Sequence, residues 1–115
     1  MRMKCDIRGL NKMQKKLIKA ADPEKITQVV RQNTSEMQGR AQDLCPVDTG
    51  NLKRSIGIDM EDGGMTGVVR ATAHYAEYVE LGTRPMRAQP YMRPAFDAQK
   101  DQFITDLKKA VISDL

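Results

Sequence analysis

Aromatic side chains are scarce in this 115-residue sequence, which contains no Trp, two Phe and three Tyr. A chain of this length usually forms one domain and buries about two thirds of the surface of its unfolded state, so its core is small. Eight Met residues take over part of the packing, because their unbranched side chains adapt to irregular spaces. The composition therefore predicts a single domain, residues 1–115, with a modest core in which Met replaces aromatic rings.

Cysteine and histidine are also rare, since the sequence contains only Cys5, Cys45 and His74. Neither cysteine belongs to a CxxC pair, so these three residues do not have the spacing of a zinc site. No motif couples His74 to a thiol or to a serine nucleophile, and a lone histidine beside a tyrosine is usually structural. Gly63 and Gly64 lack the spacing of a phosphate-binding loop. The sequence thus predicts no catalytic residue, no metal site and no cofactor.

Long apolar runs are missing as well. No stretch approaches the roughly 18 apolar residues of a membrane span, and the first residues do not form the apolar segment of a signal peptide. We therefore expect synthesis in the cytoplasm, reduced thiols and no membrane partner.

Charge is unevenly distributed, although the net charge is only +4. Residues 1–54 contain twelve Lys or Arg and six Asp or Glu, whereas residues 55–83 contain one Arg and five acidic residues. A basic and an acidic part in one small domain suit packing between neighbouring copies as well as binding to nucleic acid. Lys15, Lys16 and Lys19 would form a basic helix face, but no aromatic residue that could stack on bases accompanies them.

The spacing of apolar residues predicts three strands. Met3, Cys5 and Ile7 alternate with charged residues, as in a strand with one buried face. Ile56 to Met60 alternates in the same way, and residues 65–72 form a returning strand after the glycine pair of a hairpin turn. Strands that follow one another through a hairpin pair in an antiparallel sheet.

Helical spacing accounts for most of the remaining chain. A long helix is predicted over residues 23–45, because Asp22 can cap its first amides and Pro46 ends it; its apolar stripe is interrupted at Asn33. Helical spacing also joins Leu10, Met13, Leu17 and Ile18 near the N-terminus and Phe96, Phe103, Leu107 and Val111 near the C-terminus. The predicted fold is α+β, with a small antiparallel sheet packed against a long central helix and a C-terminal helix.

Two further segments carry local signals. Residues 75–81 could form a strand or a helix, and a single short helical face accounts better than alternation for Tyr75, Tyr78, Val79 and Leu81. Residues 83–90 are rich in arginine and proline and poor in apolar groups, so a mobile loop is expected there.

Three stretches, PVDTGNLKRSI at 46–56, YAEYVELGT at 75–83 and AQPYMRPAF at 88–96, resemble in this order the phage family named after gene product ten of the lambdoid coliphage Hong Kong 97. The resemblance runs from about residue 20 to the C-terminus. The motif positions that carry it are Asp48, Thr49, Gly50, Tyr75, Tyr78, Gly82, Pro90 and Pro94. Capping by Asp48 or Thr49 and the freedom of Gly50 suit a sharp reversal between helix and sheet.

The resemblance implies a structural role in the virion. Members of this family are neck or tail-completion proteins of long-tailed phages and prophages, named tail completion, tail terminator or head–tail joining proteins. They are made as subunits in the cytoplasm of the bacterial host. They then join a ring, generally six-fold, where the tail meets the head. The expected partners are copies of the chain itself and neighbouring neck and tail proteins, with phage DNA passing through the lumen.

For such a ring we expect arginines and acids to pair between neighbouring copies, because the planar guanidinium matches a carboxylate. The candidate interface residues are Arg84, Arg87 and Arg93 on the basic side and Asp59, Glu77 and Glu80 on the acidic side. The alternative function is a small basic nucleic-acid-binding protein, and an enzyme is the third and weakest reading.

Overall fold

The computed structural model describes residues 1–5, 12–46 and 50–112. Its elements are β1 (Arg2–Cys5), α1 (Lys12–Ala20), α2 (Pro23–Leu44), α3 (Gly50–Ser55), β2 (Ile56–Glu61), a 3₁₀ turn (Asp62–Gly64), β3 (Thr66–Ala71), α4 (Ala76–Leu81) and α5 (Met92–Ile112). Asp48 and Thr49 of the predicted reversal, and Ile7 and Leu10 of the predicted N-terminal elements, lie outside the described residues.

The sheet is antiparallel and has the order β1-β3-β2, so that β3 lies in the centre. The side chains of Met3, Cys5, Val69 and Ile58 alternate onto one face, where they join the hydrophobic cluster formed with α2 and α5. The other face carries the charged residues of the strands. The predicted α+β fold, with a sheet against a long helix and a C-terminal helix, is confirmed.

Helix α2 begins and ends where the sequence indicates. The carboxylate of Asp22 accepts a hydrogen bond from the backbone N–H of Glu24 at 3.0 Å, which satisfies one of the amides that a helix start leaves unpaired. Ile26, Val30 and Met37 of the predicted stripe are buried. Leu44, at the end of the stripe, is instead largely exposed.

Asn33 interrupts this stripe because it faces a polar partner on α5. The buried Gln99 donates to Asn33 Oδ1 at 2.6 Å and to Glu36 Oε2 at 2.7 Å, and it accepts from Arg40 Nε at 2.9 Å. Asn33 Nδ2 in turn donates to Asp106 Oδ2 at 3.0 Å. Because earlier residues of α2 meet later residues of α5, the two helices run antiparallel, and the network fixes their relative position.

Helix α2 approaches the sheet most closely at Gly67 of β3. A Cβ atom added there would lie 2.8 Å from the Cβ of Thr34 and would overlap its hydroxyl. Thr34 is buried, and its hydroxyl donates to Val30 O at 2.6 Å, so the side chain is held in place. Only glycine therefore fits between the central strand and the long helix.

Two of the predicted apolar helix faces are only partly buried. Tyr78 and Leu81 lie on the outer side of α4, where they are 58% and 73% exposed, whereas Ala76 and Glu80 face the interior. Met13 of α1 is also exposed. Ile18 of α1 is buried and Val79 of α4 is partly buried, so in helices this short the periodicity identifies the buried face only in part. No helix in the described part of the chain is both long and apolar enough to span a membrane.

We predict that Gly67→Ala lowers the free energy of unfolding by about 1–3 kcal/mol or more, because the new methyl group forces α2 away from the sheet. The matched control is Gly57→Ala in β2, where an added Cβ meets nothing within 4 Å. Urea denaturation followed by circular dichroism measures both variants. Equal stabilities for the two variants would contradict the close approach of α2 to β3.

Candidate functional site

The carboxylate of Glu80 joins two of the sequence motifs through hydrogen bonds. It accepts from the backbone N–H groups of Tyr91 at 3.1 Å, Met92 at 2.8 Å and Arg93 at 3.1 Å. These amides open helix α5, whose first turn has no internal acceptor for them and carries the positive end of the helix dipole. A buried carboxylate on α4 thus serves as the N-terminal cap of a helix that begins eleven residues after α4 ends.

The side chain of Tyr91 also links α4 to the start of α5. Its ring is fully buried, and its hydroxyl donates to the backbone carbonyl of Ala76 at 3.0 Å. Burial and, secondarily, the nearby Glu80 raise the pKa of this hydroxyl well above the usual value, because both disfavour the phenolate. The first and the last turn of α4 are therefore both tied to the start of α5.

The loop between α4 and α5 folds back against the end of α4. Gly82 has a φ of 80°, which favours glycine, and a Cβ there would lie 2.7 Å from Ala88 N. Thr83 N–H donates to Met86 O at 2.9 Å, and Gln89 N–H donates to Val79 O at 2.8 Å. The mobility predicted for residues 83–90 stays a prediction, but both ends of the loop are held by these bonds.

The outer side of this junction carries an unusual concentration of exposed apolar and basic groups. Tyr78, Leu81 and Met86 are 58%, 73% and 38% exposed, and the exposed side chains of Arg84 and Arg87 follow in the same loop. We call these five residues the tip surface. A small protein does not usually leave several large apolar side chains together in water unless they meet a partner.

The predicted interface residues do not all lie on this surface. Glu77 is exposed on α4, but Arg93 pairs with Asp97 of its own helix at 3.2 Å. Asp59 lies across the sheet, where it pairs with Arg70 at 3.3 Å. Arg84, Arg87 and Glu77 are exposed on α4 and the loop that follows it, whereas Asp59 lies on β2.

The role expected for Glu80 needs correction. Its side chain is buried and its carboxylate already accepts three backbone amides, so within this subunit it is not available to an arginine of a neighbour. Sequence reasoning missed the cap because the acceptor and its donors are separated by a whole loop, whereas helix caps are ordinarily local.

Two shallow grooves lie near the junction. One, of about 410 Å³, contains His74 and Glu77 beside Arg2 and Arg70. The imidazole of His74 contacts the ring of Tyr75 edge-on, with centroids 5.1 Å apart. Among the described residues there is no group of three or more His, Cys, Asp or Glu side chains placed to hold a metal ion.

The two thiols are buried, and they do not contribute a reactive group to these grooves. Burial raises the pKa of the Cys45 thiol, an effect that nearby Lys53 partly offsets. A raised pKa reduces the fraction of thiolate, the form that reacts with electrophiles and metals. Among the described residues, neither thiol forms a nucleophile–base pair with His74.

The sequence profile of one protein family, described as "Bacteriophage HK97-gp10, putative tail-component", matches residues 8–82. The match covers more than half of the chain and contains the stretch 46–56 and nearly all of 75–83. The stretch 88–96 lies beyond it and is connected to it by the hydrogen bonds of Glu80. No curated protein and no solved structure matches this chain.

We predict that Glu80→Ala lowers the free energy of unfolding by about 2 kcal/mol or more, since three backbone amides lose their acceptor in a buried site. Glu77→Ala on the exposed side of the same helix serves as the control and should change stability by less than about 0.5 kcal/mol. Denaturant titration of both variants is the measurement. A Glu80 variant as stable as the Glu77 variant would rule out the cap as a stabilising contact.

We predict that Tyr91 makes the fold sensitive to alkali. The pKa of the buried hydroxyl is raised above its usual value of 10.0, so the stability that the protonated group confers is complete below about pH 10 and is lost as the pH rises further. The stability of Tyr91→Phe should therefore fall less steeply than that of the parent between about pH 10 and 12. Tyr78→Phe, which removes a hydroxyl from a largely exposed side chain, is the control. Thermal unfolding measured across this pH range compares the three proteins, and identical slopes would contradict the prediction.

Proposed function

This chain belongs to the HK97 gp10-like family of bacteriophage tail components, and we propose that it is a non-enzymatic structural subunit that assembles into a ring. The ring, of six subunits by analogy with the family, would lie in the virion at the junction of head and tail. There the chain would act as a tail completion, tail terminator or head–tail joining protein. Its partners would be its own copies and the neck and tail proteins above and below them.

The observation that supports assembly most directly is the tip surface. Tyr78, Leu81 and Met86 would bury their exposed apolar area against a neighbouring protein, which is favourable by about 25 cal/mol for each Å² removed from water. Arg84 and Arg87 beside them offer planar donors to the carboxylates of a partner. In composition, a surface of exposed apolar groups bordered by arginines resembles the central part of protein–protein interfaces.

The hydrogen bonds under the loop favour the same function. Binding costs free energy when a loop must be ordered at the interface. The backbone contacts of Thr83 with Met86 and of Gln89 with Val79 reduce the number of conformations that this loop can adopt. Less order therefore has to be gained at the two ends of the loop when a partner binds.

The alternative function, binding to nucleic acid, has one observation in its favour. Lys12, Lys16 and Lys19 are exposed along α1, and together they could contact phosphates. Such binding would be sequence-independent and would weaken steeply with salt. A gel shift of duplex DNA by the monomer at physiological salt would support this alternative, and a shift only by the assembled ring would fit DNA passing through the lumen.

We predict that Tyr78→Asp and the double variant Arg84→Ala/Arg87→Ala both weaken self-association at least tenfold. The first substitution places a charge in the apolar centre of the interface, and the second removes its basic rim. Sedimentation velocity over a concentration series measures the change.

Two controls match these substitutions in chemistry but lie away from the tip surface. Ile112→Asp introduces the same charge at an apolar side chain that is 65% exposed, and Lys108→Ala/Lys109→Ala removes two exposed cations of α5. Both controls should associate like the parent. If all four variants associate equally, the tip surface is not an assembly interface.

A further inference from the structure

The three-stranded sheet has a free edge at β1. Met1 and Ala71 exchange both of their backbone hydrogen bonds, at 3.0 and 3.4 Å. In an antiparallel pair such residues alternate with residues whose N–H and C=O groups point away from the partner strand. The backbone groups of Arg2 and Lys4 therefore point outward, and no described residue bonds to them.

The opposite edge, at β2, is free over most of its length. Thr72 N–H donates to Ser55 O at 3.3 Å, so the backbone of Ile56 points away from β3. The side-chain amides of Gln38 and Gln42 on α2 donate hydrogen bonds to the Ile56 carbonyl at 2.9 and 3.4 Å. The backbone groups of Ile58 and Met60 also point away from β3. None of the residues that the structure describes donates a side-chain hydrogen bond to them.

A groove of about 480 Å³ runs beside the free edge of β1. Its floor is apolar, formed by Met3, Leu81, Met92 and Phe96, and the exposed Arg93 lies at its rim. An extended segment that paired with β1 could place its apolar side chains in this groove. Pairing of this kind combines backbone hydrogen bonds for affinity with side-chain pockets for specificity.

The two edges complement each other on both faces of the sheet. On the open face β1 carries Arg2 and Lys4, whereas β2 carries Asp59 and Glu61. On the helix face Ile58 and Met60 of β2 are partly exposed apolar residues, like those that line the groove at β1. A β2 strand placed beside β1 would thus match opposite charges on one face and apolar groups on the other.

We propose that β2 of one copy pairs with β1 of the next copy, so that the sheet continues from subunit to subunit. The inference deepens the proposed ring function and depends on it. A head-to-tail ring needs two different surfaces of the same chain that fit each other, and the two sheet edges meet this requirement. Because both strands run antiparallel to β3, a ring axis along the strands makes the new pair parallel.

Ion pairs within the subunit do not prevent this arrangement. Arg2 and Lys4 reach Glu61 across the sheet at 2.6 and 4.0 Å, and Arg70 reaches Asp59 at 3.3 Å. All five side chains remain between 35% and 52% exposed, and exposed pairs contribute little to stability. They can exchange partners with an adjoining copy at low cost.

Disulfide cross-linking tests the proposal with two double variants, Lys4→Cys/Asp59→Cys and Arg2→Cys/Asp59→Cys. A parallel pair that keeps the charged faces together places Asp59 beside Lys4 in one register or beside Arg2 in the other. Within one subunit Lys4 and Asp59 both flank Val68, about 10 Å apart across two strand spacings, which is too far for a disulfide. We expect mild oxidation to convert one of the two variants into a ladder of covalent multimers.

The control pair Lys4→Cys/Lys108→Cys should yield no ladder, because Lys108 lies on α5 and has no place in the proposed strand pair. A second test uses Lys4→Pro, which removes an outward N–H and blocks the edge without breaking a bond to β3. It should abolish assembly while the monomer still unfolds cooperatively, whereas Lys4→Ala, which keeps the outward N–H and removes one charge, should still assemble, though more weakly than the parent.

The outcomes separate this proposal from the ring itself. Assembly without a ladder in either variant, together with normal assembly of Lys4→Pro, would overturn the edge pairing and leave the ring function standing. A parent chain that stays monomeric at its highest soluble concentration would overturn both.

Discussion

The buried carboxylate of Glu80 is the contact on which the end of the molecule that carries the tip surface depends. It holds the first turn of α5 against the last turn of α4, and the Tyr91 hydroxyl adds a bond to the first turn of α4. A charge is buried at a reasonable cost only when it is surrounded by donors, and the amides of a helix start are such donors. The loop that projects from this junction has its position because its two ends are fixed there.

A second constraint determines how the sheet, α2 and α5 pack together. Gly67 allows the central strand to lie directly against Thr34 of α2, and the network around Asn33 and Gln99 fixes how α5 lies along α2. Well-packed apolar stripes alone would tolerate several relative positions of two long helices, whereas buried polar groups must find their partners. The junction of α4 and α5 is therefore assembled on a rigid support.

The sequence predicted the regular elements well because their signals are local. Asp22 and the following proline marked the start of α2, and the glycine pair after Glu61 marked the hairpin. Alternation and helical spacing then gave an α+β fold with the correct order of elements. Each of these features depends on residues only a few positions apart, so no knowledge of the tertiary structure was needed.

The functional junction was predicted less well because it depends on contacts between distant segments. Glu80 resembles an ordinary surface acid in the sequence, since its donors follow ten or more positions later. Tyr78 and Leu81 resemble core residues, since hydrophobicity alone does not show which side of a two-turn helix meets the interior. Arg84 and Arg87 were correctly expected at the surface because their loop contains little that could be buried.

The cations at the β1 edge have a consequence for the subunit before it assembles. Exposed strand edges invite indiscriminate pairing and aggregation, also between identical copies of one chain. Two β1 edges that met would bring Arg2 and Lys4 of both chains together, and like charges facing each other across strands repel. Repulsion between identical β1 edges, together with the pairing to an acidic β2 edge proposed above, would favour ordered assembly over amorphous aggregation.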